Sequence, residues 1–200
     1  MKPVSTLLVL FLLILSGCAS SKMQIAARQS LPPADPGKSQ VVFLRSSIVG
    51  SAIQSSVFDV TSGTPVFIGI VSHNTKVRYP TEPGLKTFMV VSEAADFMQA
   101  ELAPGKTYYG IVTPRMGVWK YRFSLRPIKK DPAAEFSTTS EEFADWLAGT
   151  KLVERTPGAE QWATENSVDV LDKYHQYWSK WQGKTETEKE QLTLRPEDGL

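Results

Sequence analysis

The chain has 200 residues, with 22 Lys and Arg against 21 Asp and Glu, one cysteine and two histidines. That length holds one domain of ordinary size plus an appendage. The single cysteine excludes a disulfide framework and a thiolate metal site, and no nucleic-acid-binding motif accompanies the near-neutral charge. The charge is nevertheless unevenly spread: residues 19–130 carry fourteen basic against six acidic residues and residues 131–200 seven against fifteen, so the two parts are +8 and −8. Either the acidic part folds back over the basic part, or the basic part faces an anionic surface such as phospholipid or lipopolysaccharide headgroups. The first needs no partner and is the preferred reading.

In chain order, Lys2 precedes an unbroken apolar run from Leu7 to Leu15, followed by Leu15-Ser16-Gly17-Cys18. Nine apolar residues are too few to cross a bilayer core, which needs about 20, and the small residues Ser16 and Gly17 suit a peptidase cleft, so residues 1–17 read as a cleaved signal. The four residues ending at Cys18 resemble the lipobox of bacterial lipoproteins. That resemblance implies a diacylglyceryl group on the Cys18 thiol and an acyl chain such as palmitate on its freed amine, and hence membrane attachment through lipid. Ala19 and Ser20 follow where inner-membrane lipoproteins carry an aspartate, which by the same resemblance sends the protein to the outer membrane, facing the periplasm.

Residues 18–38 read as the lipidated N-terminus and a flexible tether: they are small, polar and proline-bearing, with no periodic apolar face. From about residue 39 to 130, apolar runs alternate with turn residues at intervals of roughly ten, the pattern of a β-sandwich. The strands are expected at Val41 to Arg45, Ser56 to Thr61, Val66 to Val71, Thr75 to Tyr79, Lys86 to Ser92, Phe97 to Leu102, Thr107 to Thr113 and Val118 to Leu125. Ser62-Gly63, His73-Asn74, Pro83-Gly84, Pro104-Gly105 and Met116-Gly117 supply the reversals. In the last strand Trp119, Tyr121, Phe123 and Leu125 share one face, expected to be core, and Lys120, Arg122 and Ser124 the other, expected to be wet. With no intervening helices the sheets should be mainly antiparallel and packed face to face. Tyr108 and Tyr109 must point to opposite faces, one into the core and the other partly exposed.

At Gly84 and at Ala103-Pro104-Gly105-Lys106-Thr107-Tyr108-Tyr109-Gly110, with Arg45 ending the first strand, residues 40–128 resemble a family of bacterial lipoproteins of uncharacterised function. The resemblance implies a transthyretin-like or carboxypeptidase-regulatory-like sandwich and supplies no active site. Lys76, Arg78, Arg115, Lys120, Arg122 and Arg126 could together form a basic patch able to receive phosphates or carboxylates, although such residues are more often a solvated face.

After residue 131 the apolar period becomes helical. Thr139 and Glu142 form a capping-box pattern ahead of Phe143, Trp146 and Leu147, ending at Gly149. Thr156-Pro157 starts a second helix, which should break near Asn166, with Ser167 capping the next piece and Gly183 ending it. Tyr174, Tyr177, Trp178 and Trp181 lie in one half of that last piece. This aromatic stripe either docks on the sandwich or meets a partner; docking is preferred, because exposed apolar patches of that size are uncommon. Leu192 to Leu194 could add an edge strand or await a partner by strand addition.

His73 falls in a turn and His175 at the edge of the aromatic stripe, and no nucleophile elbow, zinc spacing or phosphate-cradling loop is present. No cofactor is expected. The reading is therefore a mainly β protein with a C-terminal helical appendage, a non-catalytic envelope lipoprotein that binds an envelope protein. A binder of a small anionic or glycan ligand is the next reading, and an unrecognised hydrolase the last.

Overall fold

Two sheets packed face to face form the centre of the molecule. The computed structural model describes residues 22–47, 49–50, 53–116 and 121–200. Its strands are β1 (Met23–Ile25), β2 (Ser39–Arg45), β3 (Ser55–Asp59), β4 (Val66–Val71), β5 (Thr75–Thr81), β6 (Gly84–Val91), β7 (Ala95–Leu102), β8 (Thr107–Met116), β9 (Tyr121–Ile128), β10 (Lys151–Arg155) and β11 (Thr193–Leu194). The helices are α1 (Glu141–Gly149), α2 (Pro157–Glu165), α3 (Ser167–Gln182) and α4 (Glu186–Gln191). One sheet has the order β1-β10-β5-β2-β8-β9 and the other β11-β7-β6-β3-β4.

Alternation along the strands sends one set of side chains between the sheets. Val41 and Phe43 of β2, Val77 of β5 and Tyr108 and Val112 of β8 meet Val57, Phe88, Val90 and Met98 of the facing sheet. Phe43 and Phe88 touch edge to face, with ring centroids 5.0 Å apart. Gly110 sits opposite Phe43 in the register, and a Cβ there would come within 3.2 Å of that ring, so the glycine makes room for the aromatic pair.

The other set is apolar as well. Val42, Leu44, Tyr109, Ile111 and Ile128 on the outer face of the first sheet pack against Phe143 of α1. Phe58, Met89, Val91 and Phe97 on the outer face of the second pack against Val170, Tyr174 and Trp181 of α3. The molecule is thus layered helix, sheet, sheet, helix. This corrects two details of the sequence reading and leaves a third outside the described residues. Tyr109 is buried like Tyr108, lying 4.9 Å from the Phe143 ring. Ser124 is buried rather than wet. Trp119 and Lys120, at the start of the last expected strand, lie outside the described residues.

Most pairings are antiparallel, as expected, but β2–β8, β10–β5 and β11–β7 are parallel. The chain leaves β2 for β3 and β4 of the second sheet, returns as β5 antiparallel to β2, crosses again for β6 and β7 and returns as β8 parallel to β2, and β10 and β11 are late segments laid along existing edges. Helix starts follow local chemistry. Thr156 accepts from the Ala159 amide, as its sequence suggested, whereas the cap of α1 is Ser140, not Thr139; the Thr139 hydroxyl is engaged with Ser137 Oγ at 2.9 Å. The chain breaks at Asn166, where the Asn166 amide donates to the Trp162 carbonyl at 2.8 Å. Ser167 begins α3 without capping it.

One charge is sealed into this core. Arg45, at the end of β2, is fully buried, and among the described residues no ion pair holds it. Its Nη1 donates to the Ile53 carbonyl, and its Nη2 donates to the Gly50 carbonyl and, at 3.3 Å, to that of Val49. The guanidinium stacks 4.1 Å over the Phe123 ring. Burial pulls its pKa down to about 10, so it stays charged at neutral pH. A guanidinium held by carbonyl oxygens in place of water fastens the backbone at Val49, Gly50 and Ile53 to the end of the sandwich. Arg45→Met keeps the apolar stem and strands those carbonyls. It should lower the unfolding free energy by about 2–4 kcal/mol, measured by denaturant titration; an unchanged midpoint would show that this backbone holds itself.

Candidate functional site

The residues that sequence analysis grouped as a basic patch are separated by the strand order. Lys76 and Arg78 are on β5, Arg115 on β8 and Arg122 on β9, and β2 runs between β5 and β8. Lys76 is buried and serves α1: its Nζ donates to the carbonyls of Leu147 at 2.6 Å and Thr150 at 2.8 Å. These are orphan acceptors at the C-terminal end of that helix. Burial, reinforced by neighbouring Lys151, lowers the Lys76 pKa. Being buried and engaged with these carbonyls, its ammonium is not on an outer basic face, and that part of the sequence reading is corrected. Arg78 is exposed and donates to Gln40 Oε1 at 3.2 Å. Lys120 lies outside the described residues.

Arg115 and Arg122 do come together. They are direct cross-strand partners, both exposed. They line a cavity of about 180 Å³ that Lys180 and Lys184, at the end of α3, close from the other sheet. Sequence analysis missed the two lysines, whose only local signal is their spacing of four at a helix end. Their meeting with β8 and β9 depends on how α3 docks.

The aromatic stripe is used inside the molecule. Tyr174 and Trp181 are buried, and Tyr177 and Trp178 are partly buried against the same cluster. The Phe97 ring lies 6.1 Å from Tyr174, 5.2 Å from Trp178 and 5.9 Å from Trp181. The sheet occupies the stripe, so the docking expectation holds.

Both ends of the described chain are part of the sandwich. Residues 18–38 were expected to be a flexible tether, but Met23–Ile25 pair antiparallel with β10. Gln29 then bridges to the same strand, donating to the Leu152 carbonyl at 3.1 Å and accepting from the Leu152 amide at 2.9 Å. Leu31 packs against the cluster under α1. The tether reading is therefore corrected for residues 23–38. Cys18 lies outside the described residues.

At the other end β11 fills the edge of β7, the edge-strand alternative raised from the sequence. Arg195 then pairs with Glu190 and, at 3.2 Å, with Glu101. Asp198 accepts from the amides of Lys130 and Arg195 at 2.8 and 2.7 Å. Leu200 exchanges two backbone hydrogen bonds with Thr107, of 2.9 and 3.0 Å.

The histidines are far from forming a site. His73 Nδ1 contacts the Ser47 carbonyl oxygen at 2.9 Å, and His175 is exposed with its ring beside Tyr174. Among the described residues, no group of three or more His, Cys, Asp or Glu side chains is placed to hold a metal. No helix among them is long and apolar enough to cross a membrane. No protein-family model and no curated protein matches the chain.

The tightness of the C-terminal lock is testable at Gly199. Its φ of −76° suits any residue, but a Cβ there would stand 2.7 Å from Tyr108 Cζ and 2.8 Å from Lys106 Cβ. Gly199→Ala should therefore cost about 1–3 kcal/mol of stability through overpacking alone, read by thermal or denaturant unfolding. A neutral substitution would mean that the last residues are loosely held.

Proposed function

We propose that the chain is a non-catalytic envelope lipoprotein, acylated at Cys18 and held at the outer membrane, whose domain rests close to the bilayer and engages a protein there. The observation that carries this reading is the short distance along the chain between the lipobox and β1: only residues 19–22 separate Cys18 from Met23. Five residue steps, even fully extended, span at most about 18 Å. A leash of that length keeps the sandwich near the headgroups, so a partner must be met at the membrane surface.

The charge distribution supports the same position. The acidic C-terminal part does cover the basic part, but it does so through apolar side chains. Among the described residues, no ion pair joins a lysine or arginine of residues 22–130 to a carboxylate of residues 131–200. Of the two pairs that join in Arg195, the one crossing between the parts has the opposite sense, reaching Glu101. Much of the basic surface is thus free of internal neutralisation, which favours an anionic surface nearby.

Two exposed apolar side chains offer probes of the partner surface: Ile25 on β1 and Val168 at the start of α3. Photocrosslinkers at these positions in intact cells should capture one specific envelope protein, and capture should disappear with Cys18→Ser. In that variant, acyl labelling should be lost and the chain should leave the outer-membrane fraction. Retained acylation and unchanged fractionation would overturn the lipoprotein reading. Turnover of an envelope substrate by purified protein would overturn the non-catalytic one.

A further inference from the structure

We infer that the cavity between β8, β9 and the end of α3 is a binding site for a phosphate group, with Arg115, Arg122, Lys180 and Lys184 as its cationic walls. The site goes beyond the protein-binding function proposed above and stands on different residues.

Its chemistry follows from an imbalance. Arg115 and Arg122 face each other directly across the β8–β9 ladder, an arrangement of like charges that destabilises a sheet unless a counter-charge is present. Among the described residues, neither arginine takes part in an ion pair, and neither do Lys180 and Lys184. One carboxylate lines the cavity, that of Asp96, and its Oδ2 accepts from the Leu125 amide at 3.3 Å. The lining is therefore four cations against one acid.

The lysines alone have a simpler explanation, since basic residues at a helix C-terminus are favoured by its macrodipole. Among the described residues the arginines have none: both are exposed and, as directly opposed like charges, they repel each other. Lys180 is further fixed at the rim by its ammonium lying 4.8 Å over the Tyr177 ring. The wall behind is Phe97 and the buried Trp181, which packs into the second sheet and gives the cavity a rigid back.

Phosphate fits this lining better than carboxylate. A phosphomonoester carries about −1.5 to −2 at pH 7 and three acceptor oxygens, and two guanidinium forks can grip those oxygens in pairs. A monocarboxylate would leave most of the charge uncompensated. The phosphate could belong to a lipid headgroup or to a soluble compound, and the chemistry of recognition is the same.

The test uses the full chain in neutral detergent, with inorganic phosphate and glycerol 3-phosphate followed by calorimetry. A second arm measures retention on phosphatidylcholine vesicles with and without phosphatidic acid. Arg115→Gln/Arg122→Gln is compared with Arg28→Gln/Arg78→Gln, which removes the same charge elsewhere. The wild-type chain should bind, the first double variant should bind about tenfold or more weakly, and the second should bind as wild type. Binding of the soluble phosphates identifies a soluble source; binding only to phosphatidic acid vesicles identifies a headgroup, and either result supports the site. Binding to neither probe, or equal weakening in both double variants, would overturn it. The unfolding midpoint of Arg115→Gln/Arg122→Gln should be unchanged or raised, because a like-charge pair is removed. A lowered midpoint would make the arginines structural and overturn the assignment.

Discussion

Each sheet of this molecule is apolar on both faces, and covering the two outer faces governs where the rest of the chain goes. Packing the sheets together buries one face of each. Left in water, the five outer side chains of the first sheet, Val42, Leu44, Tyr109, Ile111 and Ile128, would each forfeit about 1.5–3 kcal/mol. Together that rivals the whole stability of an ordinary domain, about 5–15 kcal/mol. The chain after residue 131 therefore crosses the molecule: α1 closes the first sheet, β10 joins its edge, and α2 and α3 travel to the second. The aromatic side chains Tyr174 and Trp181 are used in that closure. Their burial explains why a stripe that looks like a recognition surface in projection offers little to a partner.

The same traffic explains what could and could not be read from the residues. Val66–Val71 was legible to the residue because an apolar run lies between two turn signals. Thr156-Pro157 and Gly183 marked helix ends correctly, since capping is local chemistry. β10 was not legible. Lys-Leu-Val-Glu-Arg contains only two apolar residues, and it is a strand because β5 and β1 lie on either side of it. β1 was hidden similarly, in a stretch whose composition reads as linker.

The candidate site was half legible for a related reason. Alternation identifies which residues share a face of one strand, but strand order decides which strands are neighbours. Lys76 and Arg115 seemed equivalent, yet Lys76 ends under α1 on helix carbonyls and Arg115 opens onto a cavity with two lysines from a distant helix. Arg45 was legible as a strand end, while its burial against carbonyls depends on Val49, Gly50 and Ile53, which are not its neighbours along β2.

Both ends of the described chain are structural parts of the sandwich, β1 lying along β10 and β11 closing the edge of β7. Hydrogen exchange of the backbone amides tests this most directly. Ala26 donates to the Leu152 carbonyl at 2.9 Å, and Gln99 and Leu200 donate to Leu192 and Thr107 at 3.0 Å. Peptides covering residues 23–29 and 193–200 should exchange orders of magnitude more slowly than unstructured chain, in step with the sandwich strands. Exchange of either peptide at the unprotected rate would contradict the account, returning that end of the molecule to a free tether or tail.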